Sequence, residues 1–464
     1  MTDDVTWLSA AQLAERYRRR ELSPVEVVDA ALTRIDRVDP SINAFVTVTT
    51  DEARARARVA EERLWAGEAL PPLFGIPITV KDLTDTAGVR TTYGSTIFQD
   101  HVPTADAISW ERLKACGVIL IGKTTTPEFG LLGTTESHLS GTTSNPWDCR
   151  RTSGGSSGGA AAATAAGVTP LAWGSDGGGS IRVPASLCGT VGFKASLGRI
   201  PLRDSTDPST TEGPITRTVL DAGLLLDATA GPDHRDRFAL PHTGESFSGA
   251  ARNPRDLRGV RIAVSPDLGI GRLDSETRAG FESAVNRLQD AGAFIEPVDV
   301  SLPDVLEYFV AYWGPEYIAV ADDFAASGTP LWPLISEIAD RARALDPRTV
   351  SDALRGTRTL IYNEYMRILG PCEFLVTPTT PMPAPLHSEI LADNGDFGLS
   401  FALHRLTESA THAGLPAISV PAAFTSGGLP IGLQVIGRPR ADASVLSIAA
   451  AFEQLSDAGQ RHPH

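Results

Sequence analysis

The sequence predicts an α/β protein, and three observations carry that reading. Residues 106–116 (DAISWERLKAC) have helical spacing and lead through Gly117 into an apolar run at 118–121, then into Gly122 and Lys123. Helix, glycine, strand and loop in succession is the rhythm that sets strands between helices. Residues 260–300 repeat it as a strand (VRIAVSPDLGIG), a helix at 275–291 and a second strand (FIEPVDV). A chain of 464 residues, 42% hydrophobic and 21% charged, has the composition of a soluble globular protein with ample material for a core.

Taken in order, residues 9–20 (SAAQLAERYRRR) carry a serine N-cap and apolar spacing near 3.6, and residues 24–38 repeat the pattern after Ser23-Pro24. Residues 44–49 (AFVTVT) read as a strand and 51–66 as a third helix. Residues 76–80 form a β-rich run ending on Lys81-Asp82. Pro77 has no N–H for a ladder, which predicts an edge strand or the first position of a strand. Leu73, Phe74, Ile76, Ile78, Val80 and Leu83 make the surroundings of Lys81 apolar, and such surroundings depress an amine's pKa. Residues 302–369 read as helical and hold Tyr308, Tyr312, Trp313, Tyr317, Trp332 and Tyr362. That spacing reads first as core, with the roof of an acyl or aryl pocket as the alternative. Residues 203–211 (RDSTDPSTT) form a polar, turn-rich loop expected to gate substrate entry.

A formal charge of -15 argues against a nucleic-acid or anionic-membrane partner, either of which requires a concentrated positive face. The N-terminus lacks the basic and apolar regions of a signal peptide, and no apolar run approaches the roughly 20 residues of a spanning helix. The expectation is a cytoplasmic protein. Cys116, Cys149, Cys188 and Cys372 are far apart without a CxxC, so they read as buried free thiols rather than a zinc site or disulfide framework. The four lysines are Lys81, Lys114, Lys123 and Lys194. Only a lysine, never an arginine, can serve a site that needs a neutral amine. GKTTT at 122–126 is not a phosphate loop, because VILI precedes it instead of GxxxxGK[ST].

The chain is organised around residues 152–184, TSGGSSGGAAAATAAGVTPLAWGSDGGGSIRVP, where two serine-glycine clusters flank an alanine-rich segment of helical length. The first fits GxSxG twice around Ser156 and Ser157, formally the nucleophile elbow of α/β-hydrolase esterases. An elbow follows directly on a buried strand, whereas NPWDCRRT precedes this one, and no HGGG-type loop is present. His404 and His412 are the candidate bases for that reading, and both read more simply as ordinary helix residues. In the second cluster Gly177, Gly178, Gly179 and Ser180 can direct backbone amides at one developing oxyanion, and Ser180 stands where a nucleophile would.

The sequence resembles the amidase signature family. The resemblance rests on residues 154–196 (GGSSGGAAAATAAGVTPLAWGSDGGGSIRVPASLCGTVGFKAS), with GIPITVKD (75–82), GKTTTPEFG (122–130), NPWD (145–148), GPITRTVLD (213–221), AGLPAISVP (413–421) and GLPIGLQVIG (428–437). It implies a single large domain over residues 1–464 with a twisted mixed β-sheet covered by helices on both faces. Within that domain a helical segment (1–69) and a signature core (70–230) precede a C-terminal part (255–455) packed on the same sheet.

Carried over residue by residue, the resemblance implies a Ser-Ser-Lys triad: Ser180 as nucleophile, Ser156 as the bridging serine after a cis peptide, and Lys81 as base. Gly177, Gly178, Gly179 and Ser180 supply the oxyanion hole. Asp176, Arg182 and Ser157 support the turn, and Lys123 and Glu128 are local scaffolding. No metal or organic cofactor is required. The implied activity is hydrolysis of a C–N acyl bond in a small-molecule amide, anilide or carbamate, and the apolar PEFGLLG segment and aromatic helices favour a hydrophobic or aryl substrate. A monomer and a homodimer fit equally well. Departures from the family pattern are Gly177 for Thr or Ile, Thr125 for Asn, Ser153 for Pro and Ser144 for Arg, and the first is expected to widen one wall of the site or loosen it. The alternative within the family is a glutamine-dependent amidotransferase component working with a tRNA-binding partner. Residues 351–366 (SDALRGTRTLIYNEYM) lack the FGxEVKRRI-like element of those proteins. Because all three triad positions are present, a non-catalytic scaffold is disfavoured.

Overall fold

Paired caps start two helices near the N-terminus. Ser9 and Gln12 close a capping box at Ala10–Arg18, and Ser23 and Glu26 close another at Pro24–Ile42, with proline in its first turn. The computed structural model of the protein describes residues 5–203, 209–269, 272–303, 305–392 and 398–463. After these helices the described chain builds one eleven-stranded sheet. Its strands are β1 (Phe45–Val48), β2 (Pro77–Lys81), β3 (Ile119–Thr124), β4 (Leu171–Asp176), β5 (Val191–Lys194), β6 (Thr211–Thr216), β7 (Arg261–Val264), β8 (Phe294–Pro297), β9 (Phe374–Pro378), β10 (Ala417–Phe424) and β11 (Pro430–Gly437). The spatial order is β1-β3-β2-β4-β6-β5-β10-β11-β9-β7-β8.

The sheet is mixed. β3-β2-β4 run parallel at one end and β9-β7-β8 at the other, while the pairs through β6, β5, β10 and β11 are antiparallel. Pro77 opens β2, an interior strand, so the first-position expectation is the one realised: the missing N–H falls where the ladder begins.

Period-2 alternation sends successive side chains to opposite faces. Ile78, Val80, Leu171, Trp173, Ile418, Val435, Val376 and Ile262 enter one core, shared with Trp110 and Leu113 of helix Ile108–Ala115, Leu225 of Val219–Thr229, Phe281 of Ser275–Asp290 and Leu446 of Asp442–Leu455. Their neighbours face the other way. Ile119 and Ile121 meet Val28 and Ala57; Ala172 and Ile215 meet Ala160 and Ala161; Leu375, Ala417 and Ile436 meet Tyr308, Tyr312, Ile361 and Tyr365. The protein is thus a single α/β unit with helices on both faces of a mixed sheet.

Tyr308 and Tyr312 bear out the core reading of the aromatic stripe, Trp313 and Tyr317 line a cavity, and Tyr362 is exposed; of the thiols expected to be buried, Cys188 and Cys372 are, whereas Cys149 is exposed. Of the predicted gating loop, residues 204–208 lie outside the described residues, and Thr211 already belongs to β6. Among the described residues no helix is long and apolar enough to cross a membrane.

Candidate active site

Lys81 is the last residue of β2 and is fully buried. Its Nζ lies 2.7 Å from Ser156 Oγ and 3.0 Å from Ser175 Oγ. Burial lowers the amine from its ordinary 10.5 to about 7, against the opposing pull of Asp176 and Glu212. At neutral pH a substantial fraction of it is therefore a free base within reach of a serine hydroxyl. Ser156 follows a cis peptide bond from Gly155 and precedes the buried helix Gly158–Ala165. Ser157 does not face the amine. Its hydroxyl donates to the Ser175 carbonyl at 3.2 Å, and its N–H donates to the Ser180 carbonyl, also at 3.2 Å. The two serine-glycine clusters are thereby tied together.

The second cluster leaves the end of β4 as a turn. Gly179 has φ +137, and a Cβ there would collide with Thr407 Oγ1, so only glycine fits. The Gly178 carbonyl accepts from Thr407 Oγ1 at 2.7 Å, and the Gly179 carbonyl accepts from the Val183 N–H at 2.7 Å. In a trans peptide the N–H points opposite the C=O, so the amides of Gly179 and Ser180 turn away from those partners. Beneath the turn Arg182 grips Asp176 through two bonds of 2.9 Å, with both side chains fully buried. Arg182 also reaches the Thr407 carbonyl (2.9 Å) and Gln434 Oε1 (2.7 Å). Burial alone would raise Asp176, but the Arg182 charge and bonds, with Lys194, hold it down to about 2.

Ser156, Ser175, Gly177, Gly178 and Ser180 all line one cavity of about 520 Å³. The structure therefore brings Lys81, Ser156, Ser180 and the glycine turn to one place, with Asp176, Arg182 and Ser157 behind them. Lys123 and Glu128 stand apart as scaffolding. Lys123 donates to the Thr84 carbonyl and to the Thr86 and Thr91 hydroxyls, and Glu128 accepts from the Trp332 N–H.

Two wall residues, Ser175 and Glu408, escaped the sequence reading of the site, while His404 enters it only as a candidate esterase base and Trp313 only as core or pocket roof. Ser175 meets Lys81 because β2 and β4 pair in parallel, Val80 opposite Trp173, a register that the residues alone do not reveal. His404 sits between two short helices and donates its Nε2–H to the Gly155 carbonyl at 3.2 Å; burial lowers it to about 4, so it is neutral. Glu408 and Trp313 pair through the indole N–H at 3.1 Å. Trp313 also bears on Gly177. A Cβ at Gly177 would stand 3.1 Å from the indole and from Thr210 Oγ1, so the glycine lets Trp313 pack close beside it in the cavity wall.

The amidase family model matches residues 26–446, and the chain belongs to that family. It is 37% identical over 474 aligned residues to an acylamidase of Rhodococcus erythropolis, covering 98% of this chain and 97% of the relative. It is 34% identical to a glutamyl-tRNA(Gln) amidotransferase subunit of Carboxydothermus hydrogenoformans, covering 99% of each. Among solved structures, a bacterial aryl acylamidase of the amidase signature family superposes with TM-score 0.90 at 29% identity over 99% of both chains. The chain is an amide hydrolase by family.

Proposed function

We propose that the protein hydrolyses the C–N acyl bond of uncharged hydrophobic or aryl amides, with Ser180 as nucleophile, Ser156 as proton relay and Lys81 as base. The observation that carries this reading is the 2.7 Å approach of the Lys81 amine, lowered to about 7, to Ser156 beside the cavity that Ser180 lines. Lys81 takes the Ser156 proton while Ser156 takes that of Ser180, whose oxygen attacks the acyl carbon. The oxyanion is held by the amides of the turn from Gly177 to Ser180, Gly179 and Ser180 foremost, each worth on the order of 3 kcal/mol. Ser156 then returns a proton to the departing nitrogen, leaving an ester on Ser180. Water attacks that ester by the same relay, releasing the acid and restoring the Ser180 hydroxyl.

The substrate class follows from the walls. Leu132, Phe309, Ile338 and Phe401 are buried and apolar, His404, held near 4, and Glu408, held near 8, are both uncharged at neutral pH, and the charged lining residues Arg203 and Glu316 are exposed at the outer edge. A glutamine zwitterion would bring two charges into such a cavity without buried partners, which favours an acylamidase over a glutamine-hydrolysing amidotransferase. Carbamates present the same acyl carbon with an ester oxygen attached and fit the same chemistry.

The test is amine and ammonia release from aliphatic amides, aryl amides, an anilide, an aryl carbamate and glutamine, with Ser180→Ala alongside. Turnover of the neutral aryl compounds that vanishes in the variant is expected. Glutamine as the preferred substrate, or turnover that survives in the variant, contradicts the reading.

A further inference from the structure

Trp313 joins the helical wall of the cavity to the glycine turn. It lies on helix Val305–Ser327, where Phe309, Trp313 and Tyr317 recur every fourth residue and share the face that lines the cavity. Phe309 and Tyr317 are buried, whereas Trp313 keeps part of its surface accessible, so a ligand in the cavity meets it. The edge of its six-membered ring lies over Gly177: a Cβ there would stand 3.1 Å from Cη2 and 3.3 Å from Cζ2. The ring is also tied down. Its Nε1–H donates to Glu408 Oε1 at 3.1 Å, Tyr312 meets it edge-on with centroids 5.1 Å apart, and the His412 ring lies 6.1 Å away. The indole is thus a stiff, flat surface at a fixed place beside the turn.

The reaction assigns that surface to one side of the scissile bond. The carbonyl oxygen goes to the amides of the turn, and the departing nitrogen must face Ser156, which returns its proton. A Cβ at Gly130 would stand 3.2 Å from Ser156 Oγ and 2.6 Å from Leu83 Cδ1, so the leaving group lies toward Gly130 and Leu83. The wall beside Gly177 remains for the acyl substituent.

We propose that Trp313 is a specificity-determining residue: its indole face holds a flat acyl group, so that the enzyme favours amides of aromatic acids over amides of saturated acids of the same size. This rests on the acylamidase reading of the same site. A planar ring keeps contact with an indole across its whole area and gains from the offset arrangement of the two π-systems. A puckered ring of equal carbon count touches the same face at fewer atoms. Gly177 is the other half of the arrangement, because a side chain there meets the indole and displaces it.

The kinetic test uses the 4-nitroanilides of benzoic and cyclohexanecarboxylic acid, which share a leaving group and differ in the planarity of the acyl ring. The ratio of their kcat/KM values is compared among variants, so that intrinsic reactivity and any general loss of rate cancel. Trp313→Leu should lower the ratio of benzoyl to cyclohexanecarbonyl turnover on the order of tenfold. Trp313→Phe, which lacks the indole N–H but keeps a flat face, should retain most of it. Gly177→Thr should shift the ratio as the leucine variant does, and it carries the comparison should that variant fail to fold. Calorimetric binding to the Ser180→Ala protein reads the same preference without turnover: benzanilide should bind more tightly than cyclohexanecarboxanilide, and Trp313→Leu on that background should abolish the difference. A ratio unchanged in Trp313→Leu or Gly177→Thr, or one reduced equally in Trp313→Phe, overturns the assignment. The two readings fail separately. Ser180-dependent hydrolysis with a ratio indifferent to Trp313 sinks this one alone, and Trp313-dependent binding of benzanilide without any amide hydrolysis by the wild type sinks the catalytic reading alone.

Discussion

An amine with its ordinary pKa of 10.5 holds its proton at pH 7, so a lysine base requires an environment that removes the charge. Lys81 has it: no exposed surface, apolar neighbours along β2, and two serine hydroxyls at its tip. The apolar setting was legible in PITVKDL, and so was the shift it causes. Ser175 was not, because its meeting with Lys81 depends on strand register. The sign of the pH dependence follows. The base acts when neutral, so kcat/KM should rise about tenfold per pH unit below 7 and level off above about 7. Lys81→Met should lower kcat by roughly 10²–10⁴ without a large change in urea midpoint. A flat profile from pH 5.5 to 8, or a methionine variant with near wild-type kcat, would refute its role as base.

At the scale of elements, the turn after β4 is shaped by contacts from far along the chain. Thr407 fills the space beside Gly179 and holds the Gly178 carbonyl, while Arg182 ties Asp176 to Gln434 on β11. Triple glycine before serine announced a backbone that needs freedom, and the sequence reading placed Asp176 and Arg182 beneath it. Thr407 and Gln434 carry no such signal, being ordinary polar residues until the fold brings them in. Gly179→Ala forces the turn off its φ of +137 against Thr407, and kcat should fall by about 10²–10³, the value of one oxyanion donor. Assays under saturating substrate check it. Asp176→Asn leaves Arg182 buried without its anion, at a cost of roughly 3–5 kcal/mol in urea unfolding. Asp176, held near 2 against an ordinary 3.8, contributes stability that is present above about pH 4 and lost as pH falls through 2, on the order of 2 kcal/mol. The wild type should therefore lose more stability than the asparagine variant between pH 5 and pH 2.5, and equal losses would remove Asp176 from the account.

For the whole molecule, the α/β rhythm, the capped helices and the position of Pro77 were all readable, since each is a local property of spacing or of a missing N–H. The order β1-β3-β2-β4-β6-β5-β10-β11-β9-β7-β8 was not, because pairing partners are chosen by packing over the entire chain. The site inherits that non-locality: Lys81 comes from β2, Ser156 from the start of a buried helix, Ser180 from the turn after β4, and Glu408 from a late short helix. With Lys81 on an interior strand and the other parts in buried segments packed around the same sheet, the site should be lost together with the fold. Activity, far-ultraviolet circular dichroism and tryptophan fluorescence should share one urea midpoint. Activity lost well before the other two would show a site that opens independently of the sheet.

The central claim is that Ser180 carries the acyl group. The most direct measurement is intact-protein mass spectrometry of enzyme quenched during turnover of an activated aryl ester or anilide, followed by peptide mapping. The account predicts a mass gain equal to the acyl group, located on Ser180 and absent from Ser180→Ala. An adduct mapped to Ser156 or another residue, or an undiminished adduct in the alanine variant, would contradict it.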